Sequence, residues 1–174
     1  MTLTNTCDEV VRVSDQPANS IGSNEIDLAF QAIREATPAE VRDKIERFEL
    51  ACLAQPQAQL EVKHYFANGL YVRELFIPKG VTGTGAVHLH EHVSMIVSGD
   101  ITVMSEHGNQ RIVGPMIRVM KPGTKHVAYA NEDTVWVTVH ATDAKTVEEA
   151  EARLVVANYQ GLPYQGQAKQ LKGE

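Results

Sequence analysis

Three of the chain's seven histidines stand within one short stretch, His88-Leu89-His90-Glu91-His92, and two more, His126 and His140, follow later. Imidazole is the commonest side-chain ligand of transition metals, and its neutral ring binds zinc, iron, nickel or copper through a nitrogen lone pair. Alternate residues of a strand point to one side, so His88 and His90 can reach one ion from extended chain. His88 and His92 cannot: four extended residues hold them roughly 13 Å apart, too far for a shared ion with bonds of about 2.1 Å, unless a turn lies between them. The competing reading is polar filling of a solvent face, which an alternating triplet placed just after a glycine-rich stretch argues against. His64, in a strand run, and His107, in a turn, read as structural or solvated.

Strands have to position these residues. After Pro56 the sequence runs in short stretches rich in Val, Ile, Thr and aromatics, broken by Gly, Asn, Asp and Pro. The stretches are residues 60–67, 70–78, 85–90, 92–98, 101–105, 111–113, 117–120, 126–130 and 134–142. Asn68-Gly69 between the first two is a strong hairpin signal, since both types tolerate positive φ. Many short strands with no helix between them predict an antiparallel sandwich or barrel. In Val135-Trp136-Val137-Thr138-Val139-His140 the valines share one face and Trp136, Thr138 and His140 the other. The valines read as core between layers, which leaves His140 either in the lumen or on the outer surface. Tyr65, Tyr71 and Trp136 read as core and Tyr129 as a residue lining a substrate; Arg73 and Glu74, as strand neighbours, allow one of the two to point inward, but read as solvated charges near an edge.

Helices flank this β region. Thr37-Pro38-Ala39-Glu40 has the form of a capping box with proline at the first helical position, followed by the stripe Val41, Ile45, Phe48 and Cys52 and stopped by Pro56. Ile26, Phe30 and Ile33 predict a short helix before it. Thr146-Val147-Glu148-Glu149 is a second capping-box pattern, opening a helix with Val147, Ala150, Leu154 and Val155. The expected organisation is a single domain in three segments: an N-terminal arm and helical extension (1–57), a barrel (58–142), and a C-terminal helix and tail (143–174).

The block from Gly80 through His88, His90, Glu91 and His92 to Gly99 resembles the first cupin motif, and Lys121-Pro122-Gly123-Thr124-Lys125-His126, running on to Asn131, resembles the second. In the second block Gly123 and His126 keep the family spacing, while proline and asparagine each stand one place late. The resemblance implies a mainly β fold, the cupin double-stranded β-helix or jelly-roll barrel, here with an N-terminal helical extension and a C-terminal helix. It also implies one divalent metal in the barrel, held by two His and a Glu from the first motif and His126 from the second. The first motif fits in two registers. With Gly80 and Gly99 as its fixed glycines, the family's ligands fall on Ala86, His88 and His92, and His90 and Glu91 sit in a turn. With His88 and His90 as the His-x-His pair, Ser94 and Met95 stand where the Glu belongs. In both, the usual carboxylate is missing unless Glu91 turns inward. His88, His90, His92 and His126 are thus the candidate metal ligands, with His90 an extra ligand or general base and His90 and Tyr129 the candidate catalytic residues. Segments around His64–Tyr71, Glu91–His92 and Glu132–His140 are also similar to uncharacterised cupin-like proteins of bacteriophages and prophages.

Composition narrows the partners. Sixteen Lys and Arg against 22 Asp and Glu give a net charge of -6. With no basic cluster, neither nucleic acid nor an anionic membrane is an expected partner. No apolar run reaches the roughly 18 residues of a membrane span, and the polar N-terminus lacks the features of a signal peptide, so a cytoplasmic protein is expected. Cys7 and Cys52 have no paired-thiol spacing. The expected function is a metal-binding cupin acting on a small organic substrate through a His-rich site, of dioxygenase, isomerase or lyase type. Its cofactor would be one divalent transition-metal ion, Fe, Zn, Ni or Mn. Iron would imply oxygen chemistry, and zinc or manganese non-redox roles. The alternative is a non-catalytic phage accessory or ligand-binding protein. A homodimer is a further expectation, with the Val10–Val13 patch adding a strand to a neighbour.

Overall fold

The computed structural model describes residues 12–13, 37–160 and 162. The expected helix at Ile26, Phe30 and Ile33, the arm apart from Arg12 and Val13, Cys7 and the tail after Leu162 lie outside the described residues. The elements in chain order are β1 (Arg12–Val13), α1 (Pro38–Leu53), β2 (Val62–Ala67), β3 (Leu70–Ile77), β4 (Thr82–Thr84), β5 (Val87–His88), β6 (His92–Ser98), β7 (Asp100–Ser105), β8 (Gly108–Val113), β9 (Met116–Met120), β10 (Val127–Ala130), β11 (Thr134–Ala141), α2 (Val147–Leu154) and β12 (Val155–Val156).

Two five-stranded antiparallel sheets face each other, in the orders β2-β3-β11-β6-β9 and β1-β4-β10-β7-β8, and β5 pairs separately with β12. Leaving aside β1, β2 and β5, and counting from β3, the barrel strands enter the sheets as first-eighth-third-sixth and second-seventh-fourth-fifth. That order is the double-stranded β-helix, a jelly roll in which successive strands cross between sheets. Arg12 and Val13 pair with Thr84 and Gly83 of the same chain, so the part of the arm that is described extends the barrel's own sheet.

Local chemistry sets the corners. Asn68-Gly69 closes the β2–β3 hairpin, with Gly69 at φ 76°. Gly99 alone joins β6 in one sheet to β7 in the other, at φ 98°. A Cβ there would lie 2.3 Å from the Asp133 carbonyl oxygen and 2.6 Å from Thr134 Cα, so no other residue fits. The next residue, Asp100, ties the corner together. Its carboxylate accepts from Arg111 Nε (3.0 Å) and Asn131 Nδ2 (2.9 Å), and its carbonyl accepts from the amides of Asn131 (2.8 Å) and Glu132 (3.1 Å).

Leu75, Ile77, Ile96, Ile101, Val103, Ile112 and Ala130 fill one end of the barrel. Helix α1 covers the outer face of the second sheet with Val41 and Ile45 against Val127. Its capping box forms as expected, Thr37 N donating to Glu40 Oε2 at 2.7 Å and Glu40 N to Thr37 Oγ1 at 3.4 Å. At α2 only half of the pattern forms: Glu149 N donates to Thr146 Oγ1 (3.2 Å), while the Glu149 carboxylate takes the amide of Lys145 (2.9 Å). This helix ends at Leu154, earlier than its apolar stripe predicts, because Val155 and Val156 pair with His88 and Val87 as β12; two β-branched residues suit a strand.

Two ion pairs lie under α1. Lys125, fully buried, places Nζ 2.8 Å from both carboxylate oxygens of Glu49 and 2.5 Å from the Ala157 carbonyl. The Arg42 guanidinium bonds Glu106 and lies 4.3 Å over the Tyr159 ring. Removing one member of such a pair strands the other charge, whereas removing both is much cheaper. Lys125→Met is therefore expected to cost about 3–5 kcal/mol of stability in urea unfolding. The double variant Lys125→Met, Glu49→Leu is expected to recover a substantial part of that loss.

Candidate metal centre

Inward-facing positions of the larger sheet are fixed by its register. Across β3, β11 and β6 the rows are Tyr71–His140, Arg73–Thr138–Ser94 and Leu75–Trp136–Ile96, and β6 pairs His92 with Met120 of β9. The apolar members, Leu75 and Ile96, belong to the barrel core. By alternation Arg73, Thr138, His140, Ser94 and His92 point into the same interior. The outer face carries Val135, Val137 and Val139 together with Glu74. Thus the valines, expected between the layers, face away from the lumen, and His140 stands inside it, only 3% exposed.

His88 reaches the same place from β5. Residues 89–91 form the turn between β5 and β6, which reverses the chain and brings His88 and His92 together with ring centroids 4.1 Å apart. The His140 ring lies 5.1 Å from His88 and 4.5 Å from His92. One nitrogen from each of the three rings lies within 4.8 Å of the other two. Two bonds of about 2.1 Å span at most roughly 4.2 Å, so a shift of several tenths of an ångström puts the three on one centre. Both His88 Nδ1 and His140 Nδ1 are buried without a hydrogen-bond partner. His92 Nδ1 lies 3.2 Å from the His90 carbonyl oxygen; as a donor there it leaves Nε2 as the lone-pair atom, the usual arrangement of a ligating histidine.

Charge is excluded from this cluster. Burial holds His88 well below the ordinary imidazole range, with His92, His140, His126 and Arg73 adding repulsion. Burial also lowers His92, against the opposing bond to the His90 carbonyl. Burial, then His92, His90 and Arg73, push His140 down to about 3. All three are neutral at pH 7 and present lone pairs, the state a metal requires. Two orphaned ring nitrogens, a common centre and an uncharged donor set fit a divalent transition-metal ion.

The remaining candidates fall elsewhere. His126 precedes β10 and lines the same cavity as His88 and His92, its ring edge-on to Trp136 at 5.9 Å. It is not one of the three rings that share a centre, and burial, then Arg118, lower it to about 3. His90 is exposed on the turn, as is Glu91. Tyr129 lies on the opposite face of β10 from Ala128, which lines the cavity, so its ring is directed away from the lumen. His64 Nδ1 meets the Tyr71 hydroxyl at 2.7 Å, a structural contact.

Sequence alone leaves His140 open between lumen and surface, and leaves open whether Arg73 or Glu74 points inward. Arg73 lines the cavity, whereas its neighbour Glu74 faces outward to Tyr65 (3.2 Å) and Lys63 (3.4 Å). The signal was the phase of β3: Tyr71, Leu75 and Ile77 are buried, and Arg73 shares their parity.

Solved structures similar to this chain include ectoine synthase from P. lautus, at 13% identity over 64% of this chain and 87% of that one, TM-score 0.46. An RmlC-like cupin family protein with a double-stranded β-helix fold from Methanocaldococcus jannaschii matches at 12% over 49% and 82%, TM-score 0.42. KdgF from Halomonas sp. matches at 19% over 49% and 82%, TM-score 0.42. The chain has the cupin fold. Its two sheets have the strand order of a double-stranded β-helix. No protein-family model and no curated protein matches the chain.

The depressed histidines have a consequence for acid stability. His126 and His140 sit at about 3 in the folded state and near 6.5 unfolded, so between these values the unfolded chain binds more protons and stability is lost as the pH is lowered. Metal-free protein is expected to keep a constant urea midpoint above about pH 7.5 and to lose stability steadily from about pH 6.5 to 4.5. Asp100, held low chiefly by Arg111, adds sensitivity only below about pH 4. The slope between pH 6.5 and 4.5 should be shallower in His126→Gln; an equal slope contradicts the assignment.

Proposed function

We propose that this chain is a metal-binding cupin that holds one divalent transition-metal ion on His88, His92 and His140 and acts on a small organic substrate in the barrel. The observation that supports it most directly is the convergence of three uncharged imidazoles on one centre. Neutral ligands leave the ion its full positive charge, which supplies Lewis acidity toward a bound substrate or water.

The chain's own groups do the rest. Leu75, Ile77, Val81 and Ala128 give a cavity of 90 Å³ apolar walls. The indole N–H of Trp136 donates to Ser94 Oγ at 2.7 Å, which fixes a flat wall beside the imidazoles. His126 faces the cavity from the opposite sheet. Its value of about 3 makes it a poor proton carrier at neutral pH, so a neutral donor to the ion or substrate is the role we assign it. His90, exposed beside the cluster, is assigned proton exchange with solvent instead of a bond to the ion.

Elemental analysis of untagged protein, reconstituted anaerobically, is expected to give close to one transition-metal ion per chain. A His88→Ala, His92→Ala double variant is expected to bind none. His140→Ala should weaken binding by more than the about 10–100-fold that loss of an outer partner brings. Full retention of metal in the double variant overturns the reading. Metal-free wild-type protein makes the cluster a polar pocket and the chain a binding protein. Near-stoichiometric iron directs assays to oxygen chemistry, and zinc, nickel or manganese to isomerase or lyase reactions.

A further inference from the structure

The larger sheet is inverted in polarity. Antiparallel sheets ordinarily turn apolar side chains to the core and polar ones to solvent. Here His140, Thr138, Ser94 and Arg73 point inward, while the outward positions of β11 are Val135, Val137 and Val139. On the same face β6 adds Val93, Met95 and Val97, and the edge strand β9 adds Ile117 and Val119. Their register makes two unbroken rows, Val139–Val93–Val119 and Val137–Met95–Ile117. The outward positions of these three strands hold no charge. Nor does a described helix lie on them: α1 packs on the other sheet, and α2 joins a cluster with Tyr71, whose side chain points inward. Ile117 is 70% exposed, Val119 61% and Val97 50%. An open apolar face of this breadth marks a surface that meets another protein.

We propose that this face binds a second copy of the chain, the two larger sheets packing back to back about a two-fold axis. Under such an axis the same rows meet each other, apolar against apolar. Valine and isoleucine side chains standing off two twisted sheets interdigitate at a spacing of about 10 Å, as in the core of a sandwich. Five strands about 4.8 Å apart and three outward rows about 6.8 Å apart give a face of roughly 24 by 20 Å. Two copies thereby cover on the order of 1,000 Å² in total, the size at which specific interfaces begin. Toward β2 the face ends in charge, Lys63 and Glu74 paired at 3.4 Å, which gives the apolar centre a polar rim. The chain's own remaining segments depart from the opposite side. β1 pairs with β4, α1 packs on the second sheet, and the Tyr159 amide bonds Glu46 of α1 at 3.3 Å. Residues 1–11, 14–36 and 163–174 thus join the described chain across the barrel from the valines, which favours a second copy as the occupant.

Light scattering after size exclusion of the full-length protein is expected to give twice the mass of one chain, falling toward one chain on dilution. Ile117→Glu and Val119→Glu change side chains that are open to solvent in the single chain. Each should weaken the dimer at least about tenfold, since like charges then face each other in an apolar contact. Leu50→Glu, at a side chain similarly exposed on α1 (66%), should leave the dimer unchanged. Circular dichroism and the urea midpoint show whether each variant is folded. Where a glutamate unfolds the chain, Ile117→Thr keeps the branched shape that suits a strand and should still weaken the dimer severalfold. A wild-type protein monomeric at every concentration overturns the inference, whether its own residues 14–36 or a different protein cover the valines. A dimer that survives either glutamate variant in folded form, or that Leu50→Glu dissociates, overturns it as well. Metal content plays no part in the comparison, so failure of the metal-binding reading leaves this test intact.

Discussion

Three imidazole rings are packed inside an apolar barrel, and they can stay there only while uncharged. Protonating any one of them would place a cation against two other rings and Arg73 with little water to solvate it, and desolvation is the largest cause of the lowered proton affinity of His88, His92 and His140. The rest of the interior conforms to that requirement. Its charged groups among the described residues are few, its hydroxyls are small, and the Trp136 indole donates its N–H to Ser94 without taking a lone pair from the histidines. A cluster kept neutral for reasons of packing is by the same fact a cluster of available lone pairs.

The barrel supplies what such a cluster needs, two sheets held at fixed spacing with an interior reached from both. Apart from the β7–β8 hairpin, successive barrel strands cross between sheets, so each such corner is a place where the spacing could slip. Gly99, with the Asp133 backbone pressed against it, and Asp100, bonded to Arg111 and Asn131, fix one of these corners. Apart from Asp100, charges are buried on the other side of the second sheet, where Lys125 and Glu49, Arg42 and Glu106 meet beneath α1. Pairing them there keeps α1 seated while leaving the lumen to the imidazoles and Arg73.

Much of this was legible in the sequence because the signals were local. Period-two stretches located the strands to within a few residues, the Asn68-Gly69 turn set one hairpin, and Thr37 with Glu40 marked the start of α1. The His88-to-His92 pair was legible too, once a turn was placed between them. What stayed illegible depended on which face of a strand meets the lumen. His140 and its neighbouring valines alternate in the same way whichever side is inside, and only pairing with β3 and β6 settles it. The direction of Tyr129 is illegible for the same reason, its neighbour Ala128 being the one that lines the cavity. Arg73 was read as surface because a charge usually is, although the parity it shares with Tyr71, Leu75 and Ile77 says otherwise. The short strands β4 and β12 carried no period at all: at three and two residues they exist because partners wait for them.

One of those partnerships has a further meaning. The strand carrying His88 is two residues long, and its ladder partner is β12, reached only after the whole barrel and α2 have been laid down. The Leu89 amide likewise bonds the Leu154 carbonyl at 2.8 Å. During synthesis one side of this strand, whose backbone also bonds Gly123 (2.7 Å) and Thr124 (3.5 Å), therefore stays open until the segment after α2 emerges and docks. The barrel can close before the strand that carries His88 is paired on both of its sides.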